Sequence, residues 1–316
     1  MMTRLLSALL VLFLSPFACA NHYDATVPMK AVKLGPHSYF VEGQPGAASS
    51  DNQGFMSNAG FVVTKDGVVV FDALASPPLA RKLIGLIRKI TSQPIKRVIV
   101  SHYHADHFYG LQEFKALGAE IWAHRLAEGA TRTEEAALRL QQRKEALFPW
   151  VDEKTQLLEP DHFVEGDTDF VMGGIDFALR HVGPAHSAED LAMMVKEDGV
   201  LYAGDLVFRG RVPFVGDADS RAWIAALEKL IALKPKILVP GHGSPSRDPR
   251  ADLVFTRDYL VFLRESMGRA VRDFVPFEQA YKATDWSKYR AMPAFNESNR
   301  VNAYNQYLRM EQELVE

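Results

Sequence analysis

The stretch Val98-Ile99-Val100-Ser101-His102-Tyr103-His104-Ala105-Asp106-His107 joins an apolar run to a dense cluster of polar side chains. The apolar run is typical of a strand, and imidazole and carboxylate are the groups that zinc prefers when no thiolate is available. His102 and His104 are two positions apart, so their side chains point the same way on an extended backbone. The stretch therefore predicts a metal site at a sheet edge, with Asp106 and His107 placed to serve a second ion.

Three further strand-like runs lead into a potential metal ligand. These runs and the ligands that follow them are residues 175–182 with His186, residues 200–203 with Asp205, and residues 236–239 with His242. Small or rigid residues lie beside each ligand and let the backbone approach an ion closely. We therefore expect four strand ends to converge on one edge and to form a rigid platform with reactive groups on its loops.

These motifs resemble the ligand motifs of the metallo-β-lactamase-fold hydrolases, in the same order and at similar spacing. The resemblance covers roughly residues 31–249 and includes an opening strand pair at residues 57–63 and 67–72, in which Asp72 matches the family's buried aspartate. It implies an α/β fold, namely an αββα sandwich with the metals at one sheet edge. In this chain a C-terminal helical extension would follow the sandwich.

The resemblance also implies a ligand set for two zinc ions, with iron or manganese left open. The expected ligands are His102, His104 and His186 for the first ion, Asp106, His107 and His242 for the second, and Asp205 as a bridge. A bridging aspartate resembles the glyoxalase II branch, whereas zinc β-lactamases usually carry cysteine or serine at this position.

Formal charge favours a hydroxide nucleophile in such a centre. Two Zn²⁺ ions bring four positive charges, of which Asp106 and Asp205 neutralise two and a bridging hydroxide one. The surplus keeps the nucleophile deprotonated near neutral pH, and one zinc ion already lowers the pKa of bound water from about 15.7 to about 7. Asp106 is the expected catalytic residue, because it is placed to take up the proton, and Asp72 is expected to orient a ligand.

Composition is that of an ordinary globular protein. The chain has 316 residues, 47% hydrophobic and 24% charged, with a formal net charge of −3. No basic stripe is visible, so we expect a small-molecule substrate and no nucleic-acid partner. The sequence does not predict an oligomeric state.

The N-terminus has the pattern of a secretory signal peptide. A short cationic start precedes an apolar run at residues 5–17, and Ala18-Cys19-Ala20 offers the small residues that a signal peptidase reads. We expect cleavage after Ala20, export to a bacterial periplasm and no stable membrane insertion afterwards; an uncleaved anchor is the alternative. Cys19 is the only cysteine, so the mature chain would have neither a disulfide nor a thiolate ligand.

We therefore expect the chain to divide into a signal peptide (1–20), a domain that resembles the metallo-β-lactamase fold (21–249) and a C-terminal helical segment (250–316). Composition and apolar spacing predict helices at residues 77–90, 110–117, 128–147, 223–233, 251–274, 277–283 and 302–315, and a strand at 119–123. Helix 128–147 either roofs the site or is a solvated excursion. Phe55 and Met56 either contact substrate or pack as a loop tip.

Several polar residues lie outside the expected ligand set. His181 precedes His186 by five positions and is expected to pack rather than to ligate, and Tyr103 is expected to be buried. Surface or structural roles are expected for His22, His37, His124 and His162. Arg209 and Arg211 follow Asp205 closely, so they either meet an anionic group of the substrate or lie on the surface.

The function that these features favour is a periplasmic dizinc hydrolase that cleaves an ester, thioester or amide bond with a metal-bound hydroxide. Within the family, the chain looks most like periplasmic hydrolases associated with quinoprotein and sulfur-oxidation systems. A zinc β-lactamase is the first alternative. A non-catalytic metal-binding or assembly protein and a mononuclear iron sulfur dioxygenase are the others.

Overall fold

The structure is a computed structural model that describes residues 23–216 and 218–315. The predicted signal peptide (residues 1–20), Cys19 and His22 lie outside these residues. Within the described ranges, no helix combines the length and the apolar character that crossing a membrane requires.

The first half of the chain forms a seven-stranded sheet whose neighbours follow chain order. Its strands are β1 (Ala31–Lys33), β2 (Ser38–Val41), β3 (Ala59–Val63), β4 (Val68–Phe71), β5 (Ile95–Ile99), β6 (Glu120–His124) and β7 (His162–Val164). Pairing is antiparallel from β1 to β4 and parallel from β4 to β7. The predicted strand 119–123 is therefore confirmed as β6, displaced by one residue.

The second sheet has five strands in the order β12-β11-β10-β9-β8. They are β8 (Thr168–Met172), β9 (Ile175–His181), β10 (Leu191–Val195), β11 (Val200–Tyr202) and β12 (Ile237–Val239). Only β11 and β12 pair in parallel; the other neighbours are antiparallel.

Helices cover the outer faces of both sheets. They are α1 (Pro77–Ile90), α2 (Ala105–Phe108), α3 (Leu111–Lys115), α4 (Glu134–Leu147), α5 (Ser220–Ala232), α6 (Pro249–Arg272), α7 (Phe277–Ala283) and α8 (Arg300–Val315), and a π-helical turn at Phe295–Asn299 precedes α8. The predicted helices 77–90 and 277–283 are confirmed to the residue.

The alternation of side chains along each strand creates the layers. In β4, Val69 lies between the two sheets, whereas Val68 and Val70 face α1 and α3. In β11, Tyr202 lies between the sheets and Leu201 faces the helices of the second half. Because strand side chains alternate with a period of two, the sheets share an inner core and each has an outer core. This is the expected αββα sandwich, with the C-terminal helices packed on the second outer face.

Helix α4 is shorter than the predicted span 128–147, because local signals end its N-terminal side. Thr133 accepts a hydrogen bond from the Ala136 N–H at 3.0 Å and caps the helix. Gly129 has a φ of 80°, which a continuous helix does not allow. A short 3₁₀ turn at Ala130–Arg132 takes the place of part of the missing helix, and another at Arg125–Ala127 precedes the predicted span.

Helix α2 was not predicted, although it carries Asp106 and His107. Phe55 is buried in the core beside α1, so its role is that of a packed loop residue, while Met56 is partly buried. Tyr103 is buried as expected, and its hydroxyl donates to the Leu158 carbonyl at 3.2 Å.

Candidate metal centre

Four strand ends meet at one edge of the sandwich, but they come from both sheets. The loop after β5 of the first sheet carries His102, His104 and α2. The loops after β9, β11 and β12 of the second sheet carry the other ligand candidates. The structure gathers all seven candidates into two groups, which are His102, His104, His186 and Asp205, and Asp106, His107 and His242.

The first group brings three imidazoles to one point. His104 Nδ1 lies 3.0 Å from His102 Nε2 and 2.9 Å from His186 Nε2. The Asp205 Oδ2 atom lies 3.4 Å from His186 Nε2 and 3.9 Å from His102 Nε2. Zinc–nitrogen bonds of about 2.05 Å in a tetrahedron place neighbouring ligand atoms about 3.3 Å apart. The spacing therefore suits one cation.

The second group has similar spacing. Asp106 Oδ2 lies 3.5 Å from His107 Nε2 and 3.4 Å from His242 Nε2. Asp205 contributes its other oxygen here, because Oδ1 lies 3.2 Å from His107 Nε2 and 3.3 Å from His242 Nε2. The two carboxylate oxygens of Asp205 thus face different groups, which is the arrangement that a bridging ligand requires.

The backbone at position 241 passes so close to the Asp205 carboxylate that only glycine fits there. A Cβ atom at position 241 would collide with Asp205 Oδ1, so Gly241 is required beside the carboxylate. Gly204 has a φ of 54°, which turns the chain at the end of β11.

Unpaired buried atoms indicate that a positive ion belongs in this site. Asp106 Oδ2, His107 Nε2 and Asp205 Oδ1 are buried and have no hydrogen-bond partner among the described residues. Buried polar atoms are normally paired, and these three point toward one another. The donor set therefore fits divalent cations, for which nitrogen and oxygen ligands of this kind are suited.

The protonation of the imidazoles differs between the two groups. Burial lowers the pKa of His186 to about 3, and burial together with the neighbouring His107 charge holds the pKa of His102 well below its usual value. In contrast, burial would lower the pKa of His107, but Asp205, Asp106 and Asp72 raise it well above its usual value. Burial thus favours the neutral, metal-binding form of the imidazoles in the first group, whereas the nearby carboxylates favour the protonated form of His107 as long as no cation is bound.

A buried carboxylate beneath the site holds one imidazole from each group. Asp72 Oδ2 accepts from His107 Nδ1 at 2.8 Å and from the Ser101 hydroxyl at 2.8 Å. The Ser101 oxygen is in turn 2.9 Å from His102 Nδ1, which we assign as the donor. His102 and His107 therefore each direct Nε2 toward the other members of their own ligand group. The role of Ser101 was missed, although its hydroxyl directly precedes the histidine cluster.

Residues 52–242 match the family profile described as the metallo-beta-lactamase superfamily. The chain belongs to this superfamily. Its members are mostly hydrolases, and the match includes all seven ligand candidates.

Similar proteins within the superfamily have more than one named activity. A linear primary-alkylsulfatase from Pseudomonas sp. is 22% identical over 239 residues, covering 65% of this chain and 45% of the relative. A metallo-beta-lactamase from Chryseobacterium indologenes is 25% identical over 236 residues, covering 73% of this chain and 87% of the relative. This chain thus spans less than half the length of the alkylsulfatase.

Solved structures show the same fold. A metallo-beta-lactamase from Pontibacter korlensis has a TM-score of 0.58 and 21% identity, covering 74% of this chain and 99% of that one. A stereoselective inverting sec-alkylsulfatase from Pseudomonas sp. has a TM-score of 0.69 and 16% identity, covering 89% of this chain and 50% of that one.

Two aromatic rings of this superfamily member pack against the imidazole rings of ligand candidates. The Phe208 ring stacks on His242 with centroids 5.2 Å apart, and the Trp223 ring meets His186 at 5.4 Å. The Trp223 indole N–H donates to the Leu206 carbonyl at 3.2 Å, which fixes the ring. Neither aromatic was predicted, because neither lies at ligand spacing in the sequence.

The two arginines that follow Asp205 have different environments. Arg209 forms an ion pair with Asp252 at 3.2 Å, so its guanidinium charge already has a carboxylate partner. Arg211 is half-buried and has no hydrogen-bond or ion-pair partner among residues 23–216 and 218–315. Burial lowers the pKa of Arg211, and the charges of Asp205, Glu297 and Asp106 oppose that effect. Its guanidinium group lies over the Phe208 ring, 5.9 Å from the ring centroid, and that ring stacks on the ligand candidate His242.

Two further predictions concern His181 and helix α4, which lie outside the two ligand groups. His181 stacks on His124 with centroids 3.5 Å apart and belongs to neither ligand group, as expected. Helix α4 is mostly exposed, as a solvated excursion would be. Burial lowers the pKa of His104, and the positive charge of Arg139 on this helix adds to that effect.

Proposed function

We propose that this protein is a dizinc hydrolase that cleaves an ester, thioester or amide bond. The observation that carries the proposal is the position of Asp205, whose Oδ2 faces His102 and His186 and whose Oδ1 faces His107 and His242. A carboxylate shared in this way supports two cations rather than one. The superfamily membership supports hydrolysis as the reaction class.

The residues have distinct roles in this proposal. The first ion would be held by His102, His104 and His186, the second by Asp106, His107 and His242, and both by Asp205. Zinc ions bound there would lower the pKa of a water molecule and polarise the bond to be cleaved. Asp106 directs Oδ2 to His107 and His242, which leaves Oδ1 to accept the proton that the nucleophile gives up. Asp72 keeps His107 in the required tautomer.

The substrate, in this proposal, carries an anionic group close to the bond that is cleaved. Arg211 is the supporting observation, because a half-buried guanidinium group beside the metal centre lacks a carboxylate partner of its own among the described residues. Arginine binds carboxylate, sulfate and phosphate groups through charge-assisted hydrogen bonds.

Sulfate-ester hydrolysis is a second candidate. It is favoured by the alkylsulfatases among both the sequence relatives and the structural neighbours, and a sulfate ester has the negative charge that Arg211 suits. The relatives named as β-lactamases keep lactam hydrolysis as a third candidate.

The test is elemental analysis of purified protein together with a substrate panel. Chelated protein is reloaded with zinc, iron or manganese and assayed with an aryl ester, a thioester, an aryl sulfate and a chromogenic cephalosporin. We expect two zinc ions per chain and hydrolysis of the ester or the thioester. His186→Ala should abolish this hydrolysis, and the matched variant His181→Ala should retain it.

The other outcomes identify the alternatives. Efficient cephalosporin cleavage would make the protein a zinc β-lactamase. One iron ion per chain with oxygen-dependent turnover of a persulfide would favour a sulfur dioxygenase. A folded, reloaded protein without activity on the whole panel would favour a metal-binding or assembly role.

A periplasmic location is part of the same proposal and is supported by the signal-peptide pattern of residues 1–20. Mass spectrometry of protein recovered from the periplasm of an expressing bacterium tests it. The expected mature N-terminus is Asn21, and full-length protein in the cytoplasmic or membrane fraction would contradict the proposal.

A further inference from the structure

The loop between Asp205 and α5 forms one wall of the metal centre. Phe208 stacks on His242, and the Arg211 guanidinium group lies over the Phe208 ring, 5.9 Å from its centroid. Beyond Arg211, the side chains of Val212 and Val215 are buried among the C-terminal helices. The loop thus faces the reaction site at one end and the helical segment at the other.

Three hydrogen bonds join residues 212–215 of this loop to the C-terminal segment. The Val212 N–H donates to the Pro293 carbonyl at 3.0 Å. The Asn302 amide, near the start of α8, makes the other two: Nδ2 donates to the Pro213 carbonyl at 2.7 Å, and Oδ1 accepts from the Val215 N–H at 2.9 Å. One side chain thus replaces both partners that a neighbouring strand would supply.

Asn302 is itself held by a buried chain of polar groups. Its Nδ2 also donates to the Tyr259 hydroxyl at 3.0 Å, and that hydroxyl donates to Asn299 Oδ1 at 2.9 Å. Asn302, Asn299 and Tyr259 are each 0% exposed. The Asn302 Nδ2 group and the Tyr259 hydroxyl both donate to acceptors, so the Asn302 amide has one orientation. A satisfied buried network of this kind rigidifies its surroundings.

We propose that Asn302 is a positioning residue for substrate binding, through which the C-terminal helical segment fixes the loop that carries Arg211. The inference rests on the proposed function in one respect, namely that Arg211 meets the anionic group of the substrate. It gives the C-terminal helices a role in specificity, since they contribute none of the seven ligand candidates. Loss of the amide would free the loop and weaken substrate binding without removing a metal ligand.

Two variants separate this role from plain packing. Asn302→Leu keeps the size of the side chain and removes both bonds to the loop. Tyr259→Phe disturbs the same buried network but removes no hydrogen bond to the loop. Asn302→Asp, which keeps the acceptor for Val215, serves as the milder variant if the leucine variant does not fold.

The first measurement is hydrogen exchange of the zinc-loaded full chain, followed in peptides that cover residues 207–216. Exchange at Val212 and Val215 should rise about tenfold or more in Asn302→Leu, as loss of buried hydrogen bonds predicts. It should remain at the parent level in Tyr259→Phe. Equal exchange in the parent and Asn302→Leu, or equal acceleration in both variants, would overturn the proposal.

The second measurement is hydrolysis of p-nitrophenyl hemisuccinate, an ester that carries a carboxylate. Asn302→Leu should raise KM about tenfold, while kcat and zinc content stay near the parent values, and Tyr259→Phe should leave KM unchanged. An unchanged KM in Asn302→Leu, or a loss of zinc, would contradict a role in substrate positioning. Absence of hydrolysis by the parent would count against the proposed function, whereas the exchange data would still decide whether Asn302 holds the loop.

Discussion

At the scale of single residues, Asp205 connects the two halves of the site. Burial alone would raise its pKa, but the charges of His242 and His107 hold that pKa well below the usual value. The carboxylate therefore stays ionised in a buried site, where an unpaired charge is costly. In the proposed dizinc site, a cation on each side would remove that cost, so the residue and the ions would stabilise each other.

Replacing Asp205 with serine should weaken metal occupancy. Asp205→Ser removes both carboxylate oxygens, one from each donor group, and we expect fewer than two zinc ions per chain by elemental analysis at limiting zinc. Asp198→Ser is the matched control, because Asp198 is also buried but accepts from the backbone N–H groups of His37 and Ser38. Equal stoichiometry in Asp205→Ser and the parent would contradict a bridging role.

Asp106→Asn tests the proposed proton acceptor. The amide keeps the shape of the side chain but cannot take up the proton, so kcat should fall by about 10²- to 10⁴-fold. Circular dichroism should show an unchanged fold. Turnover at the parent level in zinc-loaded Asp106→Asn would remove the proposed role.

Arg211→Gln tests whether the substrate is anionic. We expect KM for a carboxylate-bearing ester to rise by about 10- to 100-fold, because a charge-assisted hydrogen bond contributes roughly 1.5–3 kcal/mol. KM for a neutral ester of the same leaving group should change little. Arg209→Gln is the control, since that guanidinium group already pairs with Asp252; the same KM change in both variants would point to a general charge effect.

At the scale of elements, strand ends and short turns place the ligands. The one-turn helix α2 sends Asp106 and His107 to the second group, whereas the extended backbone before it sends His102 and His104 to the first. Helix α5 begins three residues before its predicted start, because Asp219 caps it. The Asp219 carboxylate accepts from the Ala222 N–H at 3.0 Å and also pairs with Arg309 of α8 at 2.7 Å.

Asp219 should therefore contribute to stability through both contacts. Asp219→Ala should lower the free energy of unfolding by about 1–2 kcal/mol, mostly through loss of the cap. Asp219→Asn keeps a capping oxygen and loses only the partly exposed ion pair, which contributes about 1 kcal/mol or less. Urea denaturation measures both, and equal losses would show that the ion pair rather than the cap dominates.

At the scale of the whole molecule, the metal centre joins the two halves of the sandwich. The first half supplies His102, His104, Asp106 and His107, and the second supplies His186, Asp205 and His242. Ions bound between them should hold the halves together, because a ligand that binds only the folded state stabilises it.

Removal of metal should therefore lower the melting temperature. Binding at a thousandfold excess over Kd contributes about 4 kcal/mol, and about 2–4 °C accompanies each kcal/mol for a protein of this size. We expect chelation to lower Tm by about 10 °C, and zinc but not magnesium to restore it. A Tm that chelation leaves unchanged would mean that the ions do not contribute to the fold.

The seven ligand candidates could be predicted from local patterns, and the αββα sandwich was implied by the resemblance of those patterns to the superfamily's ligand motifs. Apolar runs of strand length mark the strands, and imidazole or carboxylate groups directly after them mark the edge where they meet. Helix α1 was equally predictable, since its apolar spacing and Pro77-Pro78 start are local signals.

The residues that surround the ligands could be identified only from the folded structure. Phe208, Trp223 and Asn302 have no sequence signal, because their partners are distant along the chain: Asn302 is 89 positions from Pro213. The same holds for the two arginines, which look alike in sequence and differ only because Asp252 reaches one of them. Local patterns place side chains on elements, whereas contacts between distant elements decide what each side chain touches.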